Sequence, residues 1–232
     1  MNNQSKKLYS IAIDGPSGSG KSTLAKGLAA RLGFVYLDTG ALYRAVGLYV
    51  YGKNPTPSDA ETAAMLGEID IRCAYENGAQ VMYLNGEDVS LRIRENAISQ
   101  YASNVSKIPA VREFLLDLQK NAAAENHIIM DGRDIGTVIL PNADLKIFLT
   151  AKPEARARRR CEELAQKGEN VDYEDILKQI IARDKQDMSR DTAPLKPADD
   201  AVLLDNTVFS CPKETLDRIM EIIKERLPEV VI

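Results

Sequence analysis

The stretch Leu8-Tyr-Ser-Ile-Ala-Ile-Asp-Gly-Pro-Ser-Gly-Ser-Gly-Lys-Ser-Thr23 decides the fold of this chain. An apolar run ends at a carboxylate, a glycine-rich stretch follows it, and the pattern of an amphipathic helix comes next. Gly15, Gly20, Lys21 and Ser22 match the spacing G-x-x-x-x-G-K-[ST]. A strand before this spacing and a helix after it form the context in which the spacing binds phosphate groups.

Each residue type in this loop suits an anionic ligand. Glycines let backbone N–H groups converge on oxygen atoms without Cβ clashes, and the following helix adds the positive end of its dipole. Lys21 would supply a positive charge for the β- and γ-phosphates, and Ser22 would supply a hydroxyl for Mg²⁺. The alternative is a flexible Gly/Ser linker that matches by chance. The flanking strand and helix favour a nucleoside triphosphate site.

The composition limits the class of protein. The chain has 232 residues, 44% hydrophobic and 28% charged, which suits a single α/β domain over residues 1–232 with insertions. A net charge of −4 argues against a nucleic-acid partner held by bulk electrostatics. No long apolar segment predicts a signal peptide or a membrane span, so we expect a cytoplasmic protein with no membrane partner. No leftover apolar stripe requires a partner chain, so we expect a monomer.

Apolar runs alternate with helix patterns along most of the chain. This alternation predicts a five-stranded parallel sheet with helices on both faces. Ligands of such sheets bind beyond the carboxyl ends of the strands, so the polar loops after the strands should share one edge. The predicted strands lie at residues 8–14, 34–37, 127–130, 145–149 and 201–204.

Residues 58–108 differ from this alternation. Two strand-like runs, 69–75 and 80–84, are joined across Asn77-Gly78, a strong hairpin signal. The segment Ser58-Asp-Ala-Glu61 has the form of a capping box that opens a helix. We therefore predict an inserted subdomain with a small antiparallel sheet. The predicted regions are a core at about 1–57, 109–150 and 195–232, the insert at about 58–108, and a helical lid at about 151–194.

The segment Asp131-Gly-Arg-Asp134 follows a predicted buried strand. Asp131 is placed to orient Mg²⁺ through water, and Arg133 can hold a phosphate group with two hydrogen bonds. A surface turn in which Arg133 pairs with its neighbouring carboxylates is the alternative. The position at the expected ligand edge favours the functional interpretation.

Two further charged groups lie in the predicted lid. Arg156, Arg158, Arg159 and Arg160 could close on a transferred phosphoryl group, but taken alone a solvated helix face is the better interpretation.

Ile176, Ile180, Arg183, Asp187 and Arg190 share one helix face, which is apolar for two turns and then charged. Such a face suggests a helix that leaves the core and enters a polar cleft, where the two arginines could reach phosphate groups. An exposed Arg–Asp pair is an equally good interpretation, since periodicity cannot separate the two.

Taken together, these motifs resemble the bacterial-type cytidylate kinase family, nucleoside monophosphate kinases with the P-loop NTPase fold. The resemblance covers nearly the whole chain, and the insert at 58–108 matches the enlarged monophosphate-binding region of that family. The motifs that carry it are Ile-Asp-Gly-Pro-Ser-Gly-Ser-Gly-Lys-Ser-Thr (13–23), Leu-Asp-Thr-Gly-Ala-Leu-Tyr-Arg (37–44), Asp-Gly-Arg-Asp-Ile-Gly-Thr (131–137), Arg-Asp-Lys-Gln-Asp-Met-Ser-Arg (183–190) and Ala-Pro-Leu-Lys-Pro-Ala-Asp-Asp-Ala (193–201).

The resemblance implies a role for each of a set of residues. For ATP these are Gly15, Pro16, Ser17, Gly18, Ser19, Gly20, Lys21, Ser22 and Thr23, with the lid arginines Arg156 and Arg160. The residues implied for the CMP phosphate are Thr39, Tyr43, Arg44 and Arg133, and those implied for cytosine are Ser103, Arg112 and Asp134. Asp187, with Arg183 near it, is implied for the ribose, and Arg190 for a bridge between the phosphates. Gly132 also belongs to the implied CMP site. The implied catalytic set is Lys21, Arg133, Arg183 and Arg190, with Mg²⁺ on Ser22 and, through water, on Asp131.

The implied reaction moves the γ-phosphoryl group of ATP to CMP or dCMP, giving ADP and CDP or dCDP. Positioning and charge neutralisation by Mg²⁺ and arginines suffice, because the acceptor phosphate is already ionised. The alternatives are a kinase for UMP or a non-nucleotide acceptor, and a nucleotide-binding module without catalytic activity. A guanine-reading N-K-x-D element is absent from the sequence, which argues against a GTP switch.

Overall fold

The computed structural model describes residues 7–76, 79–166 and 168–230. The strands are β1 (Ser10–Asp14), β2 (Val35–Asp38), β3 (Ile71–Glu76), β4 (Ala79–Leu84), β5 (Glu87–Asp88), β6 (Ile128–Gly132), β7 (Leu145–Thr150) and β8 (Val202–Asp205). The α-helices are α1 (Lys21–Leu32), α2 (Thr39–Lys53), α3 (Asp59–Met65), α4 (Asn96–Val105), α5 (Pro109–Glu125), α6 (Pro153–Gln166), α7 (Tyr173–Met188) and α8 (Pro212–Arg226). No helix in this described part of the chain has the length and apolarity needed to cross a bilayer.

Five strands form one sheet in the order β2-β6-β1-β7-β8. Strand β1 pairs in parallel with β6 and β7, and β7 pairs in parallel with β8. The central residues of β1 and β6 are fully buried, as expected for parallel strands that are covered on both faces and therefore read as continuous apolar runs. The predicted α/β class with a five-stranded parallel sheet is confirmed.

Helix α1 begins directly after the glycine-rich loop. Gly20 precedes it in the left-handed region at φ 98°, and Gly33 ends it at φ 67°, where its N–H donates to the Ala29 carbonyl. Leu24 and Leu28 of α1 are buried in the core. The helix predicted after the loop is confirmed, and it begins at Lys21, so the loop leads straight into its first turn.

The chain divides into two compact units. The first comprises the described residues up to Phe34 and from His127 onward, and the second comprises Val35–Asn126. The single domain expected over residues 1–232, with its insert at 58–108, stays a prediction.

In the second unit, β3 and β4 are antiparallel, with Ile71 opposite Leu84, and β5 adds a third strand. The small antiparallel sheet is confirmed, whereas the hairpin turn expected at Asn77-Gly78 lies outside the described residues. Ser58 and Glu61 form the predicted capping box at the start of α3. The apolar core of this unit is built mainly from α2, α4, α5 and one face of the small sheet.

Within the first unit, α6 packs against α7. Ala157, Leu164 and Ile176 form the buried centre of this pair. Asp172 caps α7, because its side chain accepts a hydrogen bond from the Asp175 N–H. The two helices of the region predicted as a lid are therefore present, and their closing movement stays a prediction.

Candidate active site

The site of the first unit lies at the carboxyl ends of β1, β6 and β7. Asp14 is level with Gly132 on β6 and with Phe148 on β7, so the segments after these strands begin at one edge. This is the edge at which parallel sheets bind ligands. Strand β6 extends to Gly132, so Asp131 is held by the sheet and only Arg133 and Asp134 belong to the segment beyond it.

Two glycines let the phosphate loop, residues 15–23, pass close to other backbone. A Cβ on Gly15, at φ 149°, would lie 2.0 Å from the Leu149 carbonyl oxygen. A Cβ on Gly20, at φ 98°, would lie 2.8 Å from the Asn206 side-chain amide nitrogen. Any other residue at these two positions would push the loop away from β7 or from Asn206.

Lys21 lies inside this loop and is only 5% exposed. Its Nζ donates a hydrogen bond of 2.7 Å to the Pro16 carbonyl. The pKa of Lys21 is lowered to about 7, chiefly by burial and next by the Arg133 guanidinium, while the carboxylates of Asp131 and Asp14 oppose the fall. An anionic ligand would favour the charged form of Lys21, so the loop is suited to phosphate.

Ser22, which follows Lys21 in the chain, lies next to Asp131 in space. The Ser22 hydroxyl donates a hydrogen bond of 2.9 Å to Asp131 Oδ2. A hydroxyl and a carboxylate are ligand types that Mg²⁺ accepts, so these residues fit the implied metal. The described residues contain no group of three His, Cys, Asp or Glu side chains placed to hold a metal ion. Such an ion would therefore take further ligands from substrate phosphates and water.

Asp187 is the centre of a second charged cluster and is 1% exposed. Arg133 Nε donates to Asp187 Oδ2 at 2.8 Å, and Arg190 donates to Asp187 Oδ1. Burial alone would raise the pKa of Asp187, but Arg133 and Arg190 outweigh it and hold the pKa below its ordinary value. Arg183 adds a further positive charge. The alternative of an exposed Arg–Asp pair on α7 is therefore wrong, and so is the alternative of a surface turn at Arg133.

The four arginines of α6 have different surroundings. Arg156 is 2% exposed and donates to the carbonyls of Ala151 at 2.8 Å and Ser17 at 3.0 Å. Arg158 is exposed, and Arg160 pairs with Glu163 at 3.2 Å. The solvated-face interpretation is therefore wrong for Arg156. Contact of Arg156 or Arg160 with ATP stays a prediction.

The second unit holds the remaining predicted residues. Asp38 caps α2 by accepting a hydrogen bond of 3.0 Å from the Ala41 N–H, and Arg44 lies 3.9 Å from the Asp38 carboxylate. The Arg112 guanidinium lies 5.7 Å from the centre of the Tyr43 ring. Thr39 and Ser103 are both buried. This unit therefore brings Tyr43 together with Arg112, and their contact with CMP stays a prediction.

Comparison with known proteins identifies the family. Residues 11–225 match the family model described as cytidylate kinase. The chain belongs to the cytidylate kinase family. Proteins named cytidylate kinase from Caldicellulosiruptor bescii and Thermotoga maritima are 50% and 46% identical to it, over 93% and 94% of this chain and 96% and 98% of their own. A solved shikimate kinase from Bacteroides thetaiotaomicron covers 94% of this chain and 99% of its own, at 13% identity and a TM-score of 0.48, a likeness too distant to bear on function.

This member of the cytidylate kinase family is an enzyme, a kinase that transfers phosphate, as the sequence predicted. Its geometry fits that activity. A buried lysine, a hydroxyl with a carboxylate beside it, and a group of arginines around one buried aspartate lie in one unit. Such an arrangement can bind polyanions and neutralise charge, which is what phosphoryl transfer needs from a protein.

The structure adds residues to the cytidylate kinase site for which the sequence analysis gave no role. Asp14 is 5% exposed and accepts hydrogen bonds from the N–H groups of Ile135 at 2.8 Å and Gly136 at 2.7 Å. Burial raises its pKa to about 6, although both hydrogen bonds oppose the rise. These bonds fix a π-helical turn, Ile135–Ile139, directly after Asp134. The position of Asp14 at the end of a buried strand was the signal that could have identified it.

Asn206 and Asp184 were missed as well. Asn206 follows β8 at the same kind of strand end as Asp14, so the same rule applied to the last strand could have identified it. Asp184 stands beside Arg183 but lies off the helix stripe that the sequence analysis followed. It bonds Arg156 at 3.0 Å, and no spacing in the sequence predicts that contact.

Proposed function

We propose that this protein transfers the γ-phosphoryl group of ATP to CMP or dCMP, giving ADP and CDP or dCDP. The observation that carries the proposal is the cluster of buried Lys21 and Asp131 with half-buried Arg133, whose charges act on one another inside the first unit. Family membership supports the choice of a pyrimidine monophosphate as acceptor, because the similar proteins are named cytidylate kinases. A cytoplasmic, monomeric enzyme with no nucleic-acid partner completes the proposal.

On the donor side, the N–H groups of the phosphate loop and Lys21 bind the β- and γ-phosphates of ATP. Ser22 would hold Mg²⁺ directly, and Asp131 would hold it through water. When bound, the ion would neutralise negative charge on the transferred group. The hydroxyl of Ser19 supports phosphate binding by this loop, since among the described residues it is a buried polar atom with no hydrogen-bond partner.

On the acceptor side, Thr39, Tyr43, Arg44 and Arg133 bind the phosphate of CMP. Ser103, Arg112 and Asp134 read the amino group, N3 and O2 of cytosine, with Gly132 beside them. Asp187, with Arg183 near it, binds the ribose hydroxyls. Both carboxylate oxygens of Asp187 already accept from guanidinium groups, and each has a second lone pair for a hydroxyl donor.

In the transfer step, an oxygen of the acceptor phosphate attacks the γ-phosphorus in line with the departing ADP oxygen. No protein base is needed, since that oxygen is already ionised at neutral pH. Arg133, Arg183 and Arg190 neutralise charge as it spreads over the transferred group, and Arg160 approaches the donor when the lid closes. The buried Nε of Arg190, a donor without a partner in the described part of the chain, is available for this role.

The test is ADP release from ATP·Mg²⁺ with CMP, dCMP, UMP, AMP and GMP as separate acceptors. We expect strong turnover with CMP and dCMP and weak turnover with the purine nucleotides. A preference for UMP would contradict the assignment of Ser103, Arg112 and Asp134 to the recognition of cytosine. Absence of turnover with all five would overturn the proposed reaction and leave a nucleotide-binding protein with another acceptor.

A further inference from the structure

Side chains outside the phosphate loop bind two of its carbonyl groups. Arg156 donates a hydrogen bond of 3.0 Å to the Ser17 carbonyl, and Asn206 donates one of 2.7 Å from its side-chain amide to the Ser19 carbonyl. Arg156 comes from α6, and Asn206 follows β8. The loop is therefore tied to two separate elements of the first unit.

These carbonyl contacts fix the direction of the loop N–H groups. A trans peptide is planar, and its C=O and N–H point in opposite directions. The described residues contain no cis peptide bond. A donor that holds the Ser17 carbonyl therefore directs the Gly18 N–H to the opposite side, and a donor on the Ser19 carbonyl does the same for the Gly20 N–H. Loop N–H groups directed to one side are what an anionic ligand needs.

Arg156 is itself held by Asp184. Its Nη1 donates to Asp184 Oδ1 at 3.0 Å, its Nη2 bonds the other carboxylate oxygen, and its Nε donates to the Ala151 carbonyl at 2.8 Å. With the bond to Ser17, four of the five N–H groups of this guanidinium are engaged. Arg156 thus connects α7, the residue after β7 and the loop, and its contacts favour an indirect action on ATP over the direct one predicted from the sequence.

Thr215 of α8 holds Asn206 in an equivalent way. Its hydroxyl donates a hydrogen bond of 2.6 Å to Asn206 Oδ1. With Oδ1 used in this way, the side-chain NH₂ group faces the Ser19 carbonyl, where a donor is required. Thr215 is fully buried, and the backbone N–H of Asn206 donates to Thr150 at 2.7 Å, so the amide has a fixed position.

We propose that Arg156 and Asn206 are positioning residues that direct the N–H groups of the phosphate loop toward the donor phosphates, and that Asp184 and Thr215 hold them in place. This inference rests on the proposed function only in taking ATP to be the nucleotide that the loop binds. It adds four residues that act on ATP through the loop backbone.

Thr215 offers the sharpest test, because two variants separate its hydroxyl from its packing. Thr215→Val keeps the shape and removes the hydroxyl, whereas Thr215→Ser keeps the hydroxyl and removes a methyl group. Calorimetric titration of the full-length protein with ATP·Mg²⁺, without an acceptor, should show roughly three- to tenfold weaker binding for Thr215→Val, the effect of one misplaced neutral hydrogen bond. Thr215→Ser should bind ATP like the unchanged protein.

Asp184→Asn tests the other tie. The substitution removes the charge and places an NH₂ group against the guanidinium, so Arg156 should lose its fixed position. We expect ATP to bind at least threefold more weakly, on the order of the loss of a single charged contact. The KM for CMP should change less than about twofold. Asp175→Asn on the same helix is the matched control, since the Asp175 side chain is exposed and lies 3.6 Å from Lys178.

The proposal is overturned if Thr215→Val binds ATP as tightly as Thr215→Ser. It is also overturned if the variants weaken ATP and CMP equally in proportion to a lower melting temperature, which would indicate a structural role alone. The proposed reaction can fail independently. If the unchanged protein uses no nucleotide as acceptor, the titrations with ATP still report on the loop.

Discussion

The proposed site residues of the first unit and those of the second unit differ in how they are held. In the first unit, Lys21, Asp131 and Asp187 are each 5% exposed or less and have charged or polar partners. In the second unit, the side chain of Arg44 is 27% exposed and lies 3.9 Å from its carboxylate partner, Asp38. One set is fixed by buried charges, and the other is supported by an apolar core with its arginine close to solvent.

This difference indicates how the residues of each unit contribute to the free energy of substrate binding. A buried, prearranged cluster loses little conformational freedom when a phosphate binds, so its electrostatic interactions are strong and specific. A partly exposed arginine is screened by water and must be ordered by its ligand. Substitutions in the first unit should therefore have large effects on chemistry and stability, and substitutions of the exposed groups in the second unit should have smaller effects, confined to acceptor binding.

The largest effect is expected for Lys21→Ala, which removes the one cation inside the phosphate loop. We expect kcat/KM to fall on the order of 10³-fold, as for the loss of a prearranged charge contact to the transferred group. Steady-state ADP release with saturating CMP measures it. Lys26→Ala, an exposed lysine on the same helix, is the control and should keep full activity. Retained turnover in Lys21→Ala would contradict the assignment of this loop to the donor phosphates. The contrast drawn between the two units would then lose its main support.

Asp14→Asn tests the cost of burying charge in the first unit. Because the pKa of Asp14 is about 6 in the folded protein and 3.8 ordinarily, its carboxyl stabilises the fold at low pH, and this contribution is lost as the pH rises from about 4 through 6. Asn does not titrate. The unfolding free energy of the unchanged protein minus that of Asp14→Asn should therefore fall by about 2 kcal/mol between pH 4 and pH 7.

Urea unfolding at several pH values measures this difference. The constant offset between the two proteins contains the hydrogen bonds that Asn loses to Ile135 or Gly136, so only the change with pH bears on the charge. A difference that stays flat between pH 4 and pH 7 would show that burial does not raise the pKa of Asp14. The first unit would then resemble the second more closely than its geometry indicates.

Much of the fold could be predicted from the sequence, since its signals are local. The apolar runs gave the strands of the parallel sheet, the left-handed Gly33 ended α1, and the capping box at Ser58 opened α3. The glycine–lysine spacing identified the phosphate loop because each residue type in it has a physical role. The edge rule for parallel sheets then placed Asp131 and Arg133 beside the loop, as the structure does.

The contacts that bind distant segments could not be predicted in this way. Arg156 looked like one member of a solvated charge run, and its burial and its bonds to Ser17 and Asp184 distinguish it from Arg158. Asp187 could equally have been exposed, because periodicity gives a shared face and says nothing of what covers that face. Burial and pairing of charges depend on residues far away in sequence, here on Arg133.

The smallest effect is expected for Arg44→Ala in the second unit. Because this arginine is partly exposed and its pair with Asp38 is long, stability should change by less than about 1 kcal/mol. The KM for CMP should rise about tenfold, on the order of one charged hydrogen bond to a phosphate, while ATP binds as before. Arg92→Ala is the matched control in the same unit, since Arg92 meets Glu87 at 3.0 Å on the surface. Equal losses for ATP and CMP in Arg44→Ala would mean that the effects of the second unit are not confined to acceptor binding.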